Sequence, residues 1–193
     1  MFVRSLRPVV AAVLLVAACV VIPAGLATPG HAKPRVASDP SVITEWNEIA
    51  ARTIFAENLT PIPLSGLYFG FVSIAMYDAV ATIEGGYEPY AEQPRPHAHA
   101  SPEVAAASAA YRVLSTYFPA SADNLDASYA ATLARIPNGV GKVHGERVGE
   151  AAAAAIIRLR VDDGRDADLT LDVTPTPGVW RPTPPTFAPM LVP

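Results

Sequence analysis

Two histidines that are two residues apart, His97 and His99, are the most suggestive metal ligands in the sequence. On a β-strand this spacing would place both imidazoles on the same side, where they could share a metal ion. Here Pro94, Pro96 and Pro102 surround the pair and predict a loop, and no third ligand stands nearby. Because a zinc site needs three or four ligands, the pattern favours a solvated polar loop.

A second group of potential ligands is the acidic stretch from Asp162 to Asp168, with Asp172 beyond it. Clustered carboxylates could hold calcium, which prefers oxygen ligands. The stretch lacks the glycine placement and the terminal glutamate of a helix–loop–helix calcium site. We interpret it as a solvated connector.

A single carboxylate, Asp78, stands inside an otherwise apolar segment and invites a catalytic interpretation. The alternative is a structural anchor that accepts hydrogen bonds from a loop backbone or from an arginine. No second titratable group stands within one helical turn, which favours the anchor. His144 has no carboxylate at helical distance and is interpreted as a surface histidine. The residues alone therefore predict no catalytic, cofactor-binding or metal site.

The elements that would position these groups are helices. Apolar residues recur at intervals of three and four, strand alternation is absent, and helix-start and helix-stop residues divide the chain. The predicted fold is all-α: a bundle of about five helices followed by an extended Pro-rich tail. The expected helices are Asp39–Glu57, with Asp39 as N-cap and Pro40 as its first helical residue, Leu64–Ile83, Ser101–Phe118, Ala122–Ile136 and Gly141–Val161.

Two of these helices carry packing signals. The helix from Leu64 to Ile83 is apolar on every side, which predicts burial on every side. The last helix carries a face of small residues that includes Gly145, Gly149 and Ala152, and this face predicts the close approach of another helix.

The first 32 residues have the pattern of an export signal. Arg4 and Arg7 precede the apolar run Val9–Ile22, and a small-residue cleavage site ends at Ala32, with Gly25-Leu26-Ala27 as the alternative site. The run is shorter than the roughly 20 residues that span a bilayer, so we expect cleavage, secretion and no stable membrane span. Cys19, the only cysteine, follows Val-Ala-Ala, and anchoring as a lipoprotein is the alternative.

Charge limits the possible partners. The chain has a net charge of −4, and removal of residues 1–32 would take away two of its 14 Lys and Arg and none of its 18 Asp and Glu, leaving −6. An acidic domain of this kind is not expected to bind nucleic acid.

The Pro-rich end of the chain, from Thr174 to Pro193, cannot form a regular helix, yet it contains Trp180, Phe187 and Met190. Side chains of this size release roughly 1.5–3 kcal/mol each on burial, so a free solvated segment is unfavourable. We therefore expect a bundle at residues 33–164 and, at 165–193, an extended segment leading to a missing C-terminal half.

Two stretches carry a resemblance to a known family. One is Ala75-Met-Tyr-Asp-Ala-Val-Ala-Thr-Ile83 followed by Tyr87-Glu-Pro-Tyr90; the other is Asp162-Asp-Gly164 leading to Pro177-Gly-Val-Trp-Arg-Pro-Thr-Pro-Pro185. In this order they resemble the N-terminal half of secreted vanadium-dependent haloperoxidase-like proteins, of the type 2 phosphatidic acid phosphatase superfamily. The resemblance implies an α-helical bundle with a vanadate or phosphate site, in which cationic groups and histidines hold the oxyanion.

The catalytic motifs of that family are not in this sequence. They are a lysine seven residues before Arg-Pro, a Pro-Ser-Gly-His, and an arginine six residues before a histidine. Glu88 and Thr174 stand seven residues before the Arg-Pro pairs at 95 and 181, Ser-Gly-His does not occur, and no histidine has an arginine six residues before it. The resemblance therefore implies scaffold without catalytic residues.

Two hypotheses for function follow. The first is an N-terminal scaffold portion, inactive alone, whose partner is the missing C-terminal half or a homologous subunit; vanadate, or phosphate as substrate, is then implied only for a full-length relative. The second is a secreted non-enzymatic binding module that docks through its apolar tail, as proline-rich segments with aromatic residues do.

Overall fold

The computed structural model describes residues 39–91, 93, 95–96, 98–167, 174 and 176–187, and all regular structure in this part of the chain is helical. The expected all-α bundle of about five helices is confirmed. The expected signal segment, residues 1–32, lies outside the described residues. The five helices are α1 (Ser41–Ala51), α2 (Ile62–Glu84), α3 (Pro102–Tyr117), α4 (Ala122–Arg135) and α5 (Val140–Leu159).

Local side-chain chemistry fixes the ends of α1. The helix begins at Ser41, one residue later than expected, because Pro40 is its N-cap. Asp39 still contributes: its Oδ1 accepts the Ser41 N–H at 2.9 Å, and this hydrogen bond lowers the pKa of the Asp39 carboxyl. At its other end α1 continues as a π-helical turn, Arg52–Glu57. The Asn58 amide closes this turn by donating to Thr53 O at 2.8 Å.

The start of α3 lies within one residue of the expected position, and Ser101 is its N-cap. The Ser101 Oγ accepts the Val104 N–H at 3.2 Å and donates to Glu103 Oε2 at 2.7 Å. These bonds satisfy an N–H that the first helical turn leaves without a partner. The Glu103 Oε1 also accepts the Asp39 N–H at 3.0 Å, so the cap ties the start of α1 to the start of α3.

The centre of the bundle is α3, which packs against each of the other four helices. All residues from Val104 to Ala110 are buried, which means that every side of the helix is covered over this stretch. Most of them are alanines, and their short side chains let neighbouring helices approach from all directions.

The closest of these contacts is between α5 and α3. A Cβ added at Gly149 would lie 2.3 Å from the Ala105 carbonyl oxygen, and one added at Gly145 would lie 2.7 Å from the Ser101 carbonyl oxygen. Only glycine fits at such an approach. The close packing expected from this face of α5 is confirmed.

The expectation for α2 is wrong. Its buried residues, among them Phe71, Val72 and Ala75, lie on one side, and Ile62, Gly66, Ser73 and Tyr77 are exposed on the other. Only 39% of its most apolar 18-residue window is buried. The physical reason is that α1, α3 and α5 all pack on the same side.

By length and composition alone, α2 could also cross a membrane, a test that core helices of soluble proteins pass as well. It ends at Gly85 and Gly86, whose φ values of 70° and 85° favour glycine.

Candidate functional site

The buried carboxylate of Asp78 is fully committed to hydrogen bonds. Its Oδ1 accepts the Tyr90 N–H at 2.6 Å, and its Oδ2 accepts the Ala91 N–H at 2.9 Å and the Gln93 amide at 3.4 Å. Asp78 lies on α2 and these donors lie in the loop that follows it, so the carboxylate anchors the loop to the helix. The expected structural anchor is confirmed, and we assign Asp78 no catalytic role.

The histidines do not form a recognisable site. His97 lies outside the described residues, so the expectation for the His97/His99 pair stays a prediction. His99 is exposed, with φ of 66°. His144 is half-buried rather than on the open surface, and its Nδ1 lies 3.2 Å from the Ala98 carbonyl oxygen. The loop at residue 98 packs beside α5, which a reading of that helix alone could not reveal.

The acidic loop after α5 is organised by an arginine. The Asp163 Oδ1 accepts from Arg165 Nη1 at 2.8 Å and from the Arg165 N–H at 3.2 Å. Within the described ranges, no three His, Cys, Asp or Glu side chains come together as metal ligands. Asp168 and Asp172 lie outside those ranges.

That arginine belongs to a feature that the sequence did not reveal. Tyr68 and Phe71 of α2 pack with Tyr117 and Phe118 at the end of α3, with ring centroids 5.0–5.9 Å apart; we call these four rings the aromatic cluster. The guanidinium carbon of Arg165 lies 5.0 Å from the Tyr117 centroid.

A second arginine reinforces the cluster. The guanidinium carbon of Arg160 lies 5.3 Å from the Phe71 centroid, and Arg165 Nη1 donates to the Arg160 carbonyl oxygen at 2.6 Å. Burial raises the pKa of the Tyr117 phenol, although the nearby Arg165 guanidinium acts in the opposite direction. The cluster fastens the end of α5 to α2 and α3. Its signal in the sequence is two arginines just after a helix, but their aromatic partners lie far away along the chain.

The exposed side of α2 is uncharged and consists mostly of small residues. It carries Gly66, Ser73 and Tyr77, which are exposed, and Gly70, which is half-buried; we call these four residues the open face. The Tyr77 hydroxyl donates to the Glu88 carbonyl oxygen at 2.9 Å. A Cβ added at Gly66 or at Gly70 would meet no atom within 4 Å. The spacing of these residues is four, three and four, so they form one continuous stripe along the helix. None of the four is charged.

The open face runs into a groove of about 500 Å³ near the end of α2. We call it the α2 groove. Its size lies in the range of ligand-binding pockets, and its walls are mostly apolar. Its lining includes Ile43 of α1, Met76, Tyr77, Val80 and Ala81 of α2, and Tyr87 in the loop that follows α2.

The described part of the Pro-rich segment stays at the surface. Residues 174, 176–178 and 180–187 are exposed, and among them the Trp180 side chain keeps 41% and Phe187 keeps 60% of its surface in water. The bundle therefore does not cover the large aromatic groups of this segment.

Comparison of the chain with protein-family models, with curated proteins and with solved structures finds no match. The residues that the structure describes form a buried anchor, a cation–aromatic cluster and an open, uncharged face with a groove. Of these three features, the open face is the one that offers unsatisfied surface to another molecule.

Proposed function

We propose that this chain is the N-terminal scaffold portion of a secreted vanadium haloperoxidase-like or acid phosphatase-like protein, and that it is inactive alone. A helical C-terminal half that carries the oxyanion motifs completes it. The observation that carries the proposal is the open face of α2, a long apolar helix that its own bundle covers on one side only. The resemblance of the stretch around Asp78 to that family supports the identity of the partner.

The side chains that α2 leaves in water are a source of unfavourable free energy. Ile62 keeps 82% and Tyr77 keeps 45% of its surface exposed. Burial of apolar surface releases about 25 cal/mol per Å², so covering these side chains with another apolar surface would stabilise the chain.

The described residues do not fit a vanadate or phosphate site of their own. Arg165 is paired with Asp163, and Arg160 lies on Phe71 and donates to the Tyr90 hydroxyl at 3.3 Å. The described contacts of these two arginines include rings, a phenol, a carboxylate and a carbonyl, but no histidine. The oxyanion chemistry is accordingly assigned to the C-terminal half, and the role of this chain is to position that half.

The first test of this proposal is reconstitution. The full chain is mixed with a separately expressed C-terminal half that carries Pro-Ser-Gly-His, and orthovanadate binding is measured by calorimetry. We expect binding by the mixture and none by either piece alone. Tyr77→Glu on the open face should abolish the gain, and Val140→Glu, an exposed valine on α5, should leave it unchanged. Vanadate binding by the chain alone would contradict the proposal.

A second test is genetic. The DNA downstream of the codon for Pro193 is read in all three frames. We expect one frame to encode helical sequence with Pro-Ser-Gly-His. Three frames without any of the family motifs would leave the scaffold without its partner and would count against the proposal.

A second candidate function rests on a different observation, the exposure of Trp180 and Phe187 in the Pro-rich segment. Such a segment could dock into the groove of a partner, making the protein a secreted, non-enzymatic binding module. Under this function the chain is a stable monomer that melts cooperatively and exposes no dye-binding apolar surface. Trp180→Ala would then abolish partner binding, and Tyr77→Glu would not affect it.

A further inference from the structure

We propose that Asn138 is a site of spontaneous deamidation, at which the side-chain amide becomes a carboxylate through a succinimide ring formed with the backbone nitrogen of Gly139. Lys142 promotes this conversion and directs it towards aspartate. The modification site lies in the loop between α4 and α5 and depends on neither candidate function. It is supported by the surroundings of the two reacting atoms, by the contacts of Lys142 and by the start of α5.

The chemistry needs only these two residues and water. The Gly139 nitrogen loses its proton to water and attacks the Asn138 Cγ, and the new C–N bond closes a five-membered ring. The bond from Cγ to the amide nitrogen then breaks, and that nitrogen takes up protons from water and leaves as ammonia. Water next opens the ring by adding to one of its two carbonyl carbons. No atom is oxidised or reduced, so the conversion needs no redox partner.

The reacting atoms are accessible and uncrowded. Residues 137–140 are all exposed, so water reaches both the amide and the ring. Gly139 has no side chain to hinder the attack, and a Cβ added there would meet no atom of the described residues within 4 Å. In the part of the chain that the structure describes, the Gly139 N–H donates to no backbone carbonyl, so this nitrogen is not held in another contact.

Lys142 binds the oxygen of the reacting amide. Its Nζ donates to Asn138 Oδ1 at 3.1 Å. The same Nζ donates to the Leu133 and Ile136 carbonyl oxygens at 2.7 and 3.4 Å, and these contacts at the end of α4 fix the ammonium in place. Because lysine only donates hydrogen bonds, the oxygen of the Asn138 amide, and not its nitrogen, faces Nζ.

This contact should speed the closure of the ring. The attack turns Oδ1 into a negatively charged oxygen, and an ammonium already in place stabilises that charge more than it stabilises the neutral amide. A donor fixed in an enzyme site contributes about a hundredfold or more in rate, and in an exposed loop, where water weakens the attraction, we expect about fivefold.

The same contact should determine which product forms. Water that adds to the ring carbon derived from Cγ gives aspartate. Water that adds to the backbone carbon gives isoaspartate, in which the chain continues through the side chain. Lys142 polarises the carbonyl that contains Oδ1, so it favours addition at Cγ and therefore aspartate.

The new carboxylate would also suit the start of α5. Gly139 is the N-cap of this helix, the first turn has no acidic residue, and no described side chain caps it. A negative charge at a helix N-terminus is favourable, and at position 138 it would form an ion pair with Lys142. The conversion adds one negative charge, so the formal net charge of the chain changes from −4 to −5.

The other three asparagines of the chain are internal controls. Asn47 and Asn124 lie within α1 and α4, where the helical backbone does not fold into the ring. Asn58 is held by its Nδ2, which donates to Thr53 O at 2.8 Å and to Ser121 Oγ at 2.9 Å. Each of the three is followed by a residue with a side chain. We therefore expect all three to remain amides.

The first experiment follows the modification in the full chain. The folded protein is kept in warm neutral buffer, digested and examined by mass spectrometry, and isoaspartate is detected by enzymatic methylation. We expect conversion at Asn138 alone, with aspartate as the main product. The same protein unfolded in guanidinium chloride loses the Lys142 contact, and its ratio of aspartate to isoaspartate should be at least about threefold lower.

Two variants separate the parts of this chemistry. Lys142→Met keeps the length of the side chain without its ammonium, so conversion should slow about fivefold and the product ratio should fall to that of the unfolded protein. Gly139→Ala places a Cβ beside the attacking nitrogen and should also slow conversion. Arg158→Met removes an exposed positive charge from the other end of α5 and should leave rate and ratio unchanged. Circular dichroism melting checks that each variant is folded.

A third variant tests the favoured product. Asn138→Asp should melt roughly 1–4 °C above the wild-type chain at neutral pH, because its carboxylate stands at the start of α5 and beside Lys142. The difference between the two chains should disappear as the pH falls below about 4, where the carboxylate takes up a proton.

The outcomes decide the proposal. Conversion at Asn138 with a product ratio that depends on folding and on Lys142 supports it. An Asn138 that stays intact in the folded protein, while the unfolded protein converts, overturns it. Equal rates and equal ratios in the folded protein, the unfolded protein and Lys142→Met would mean that the dipeptide reacts without help from the fold, and this too overturns it. An Asn138→Asp chain that melts below the wild type overturns the favourable product.

Discussion

In the two central helices, α2 and α3, burial is the opposite of what their compositions predict: the more apolar helix, α2, is the more exposed of the two. α2 carries the larger apolar side chains, including Phe69, Phe71 and Met76, yet one of its sides faces water. α3 is mostly alanine in its first half, yet every residue from Val104 to Ala110 is buried. Burial in this bundle follows how many neighbours can approach a helix rather than how apolar that helix is.

Side-chain size explains the reversal. Around α3 the short side chains leave room for four helices, and the glycines of α5 let one of them come within backbone contact. On the packed side of α2, the aromatic cluster fills the space between this helix and the end of α3. Gly66 and Gly70 lie on its other side, where a Cβ added at either position would meet no atom of the described residues within 4 Å. The following predictions test this difference.

The largest expected effect is at the covered helix. Gly149→Ala places a Cβ 2.3 Å from the Ala105 carbonyl oxygen and 2.6 Å from Ser108 Cβ, so α5 must move away from α3. Overpacking of this kind costs about 3 kcal/mol of unfolding free energy. Urea denaturation followed by far-UV circular dichroism measures it. An unchanged midpoint would mean that the two helices are not in close contact.

The next effect is at the packed side of α2. Asp78→Ala removes the acceptor of the Tyr90 and Ala91 N–H groups and leaves them in a partly buried site. We expect a loss of about 2 kcal/mol, because an unsatisfied buried donor costs about 1–3 kcal/mol. Hydrogen exchange should show faster exchange at residues 90 and 91 but not at the Ser101 cap. Loss of stability with unchanged exchange there would contradict the anchor.

A smaller effect is expected where α2 and α3 meet the end of α5. Arg165→Ala removes the guanidinium that lies on Tyr117 and donates to the Arg160 carbonyl oxygen. We expect a loss of about 1 kcal/mol, the size of a cation–aromatic contact together with a partly buried hydrogen bond. Arg165→Lys should recover only part of it, because lysine lacks the planar fork. Full recovery with lysine would show that charge alone matters.

The sequence predicted the features that depend on neighbouring residues. It did not predict the contacts between residues that lie far apart along the chain. The start of α3 near Ser101 and the small face of α5 follow from a few neighbouring residues, and both were predicted. The Asp78 anchor was predicted because no second titratable group stands near it. The exposed side of α2 was not predicted, because which side is buried depends on where α1, α3 and α5 pack. The aromatic cluster was not predicted, because Arg165 and Tyr117 are far apart in sequence and come together only in the fold.

The smallest expected effect is a gain in stability rather than a loss. Gly70→Ala is the same substitution as Gly149→Ala, at a position where the added Cβ meets no atom within 4 Å. Glycine inside a helix is about 0.5–1 kcal/mol less favourable than alanine, because it loses more conformational freedom on folding. We therefore expect Gly70→Ala to stabilise the chain by about that amount, measured by urea denaturation.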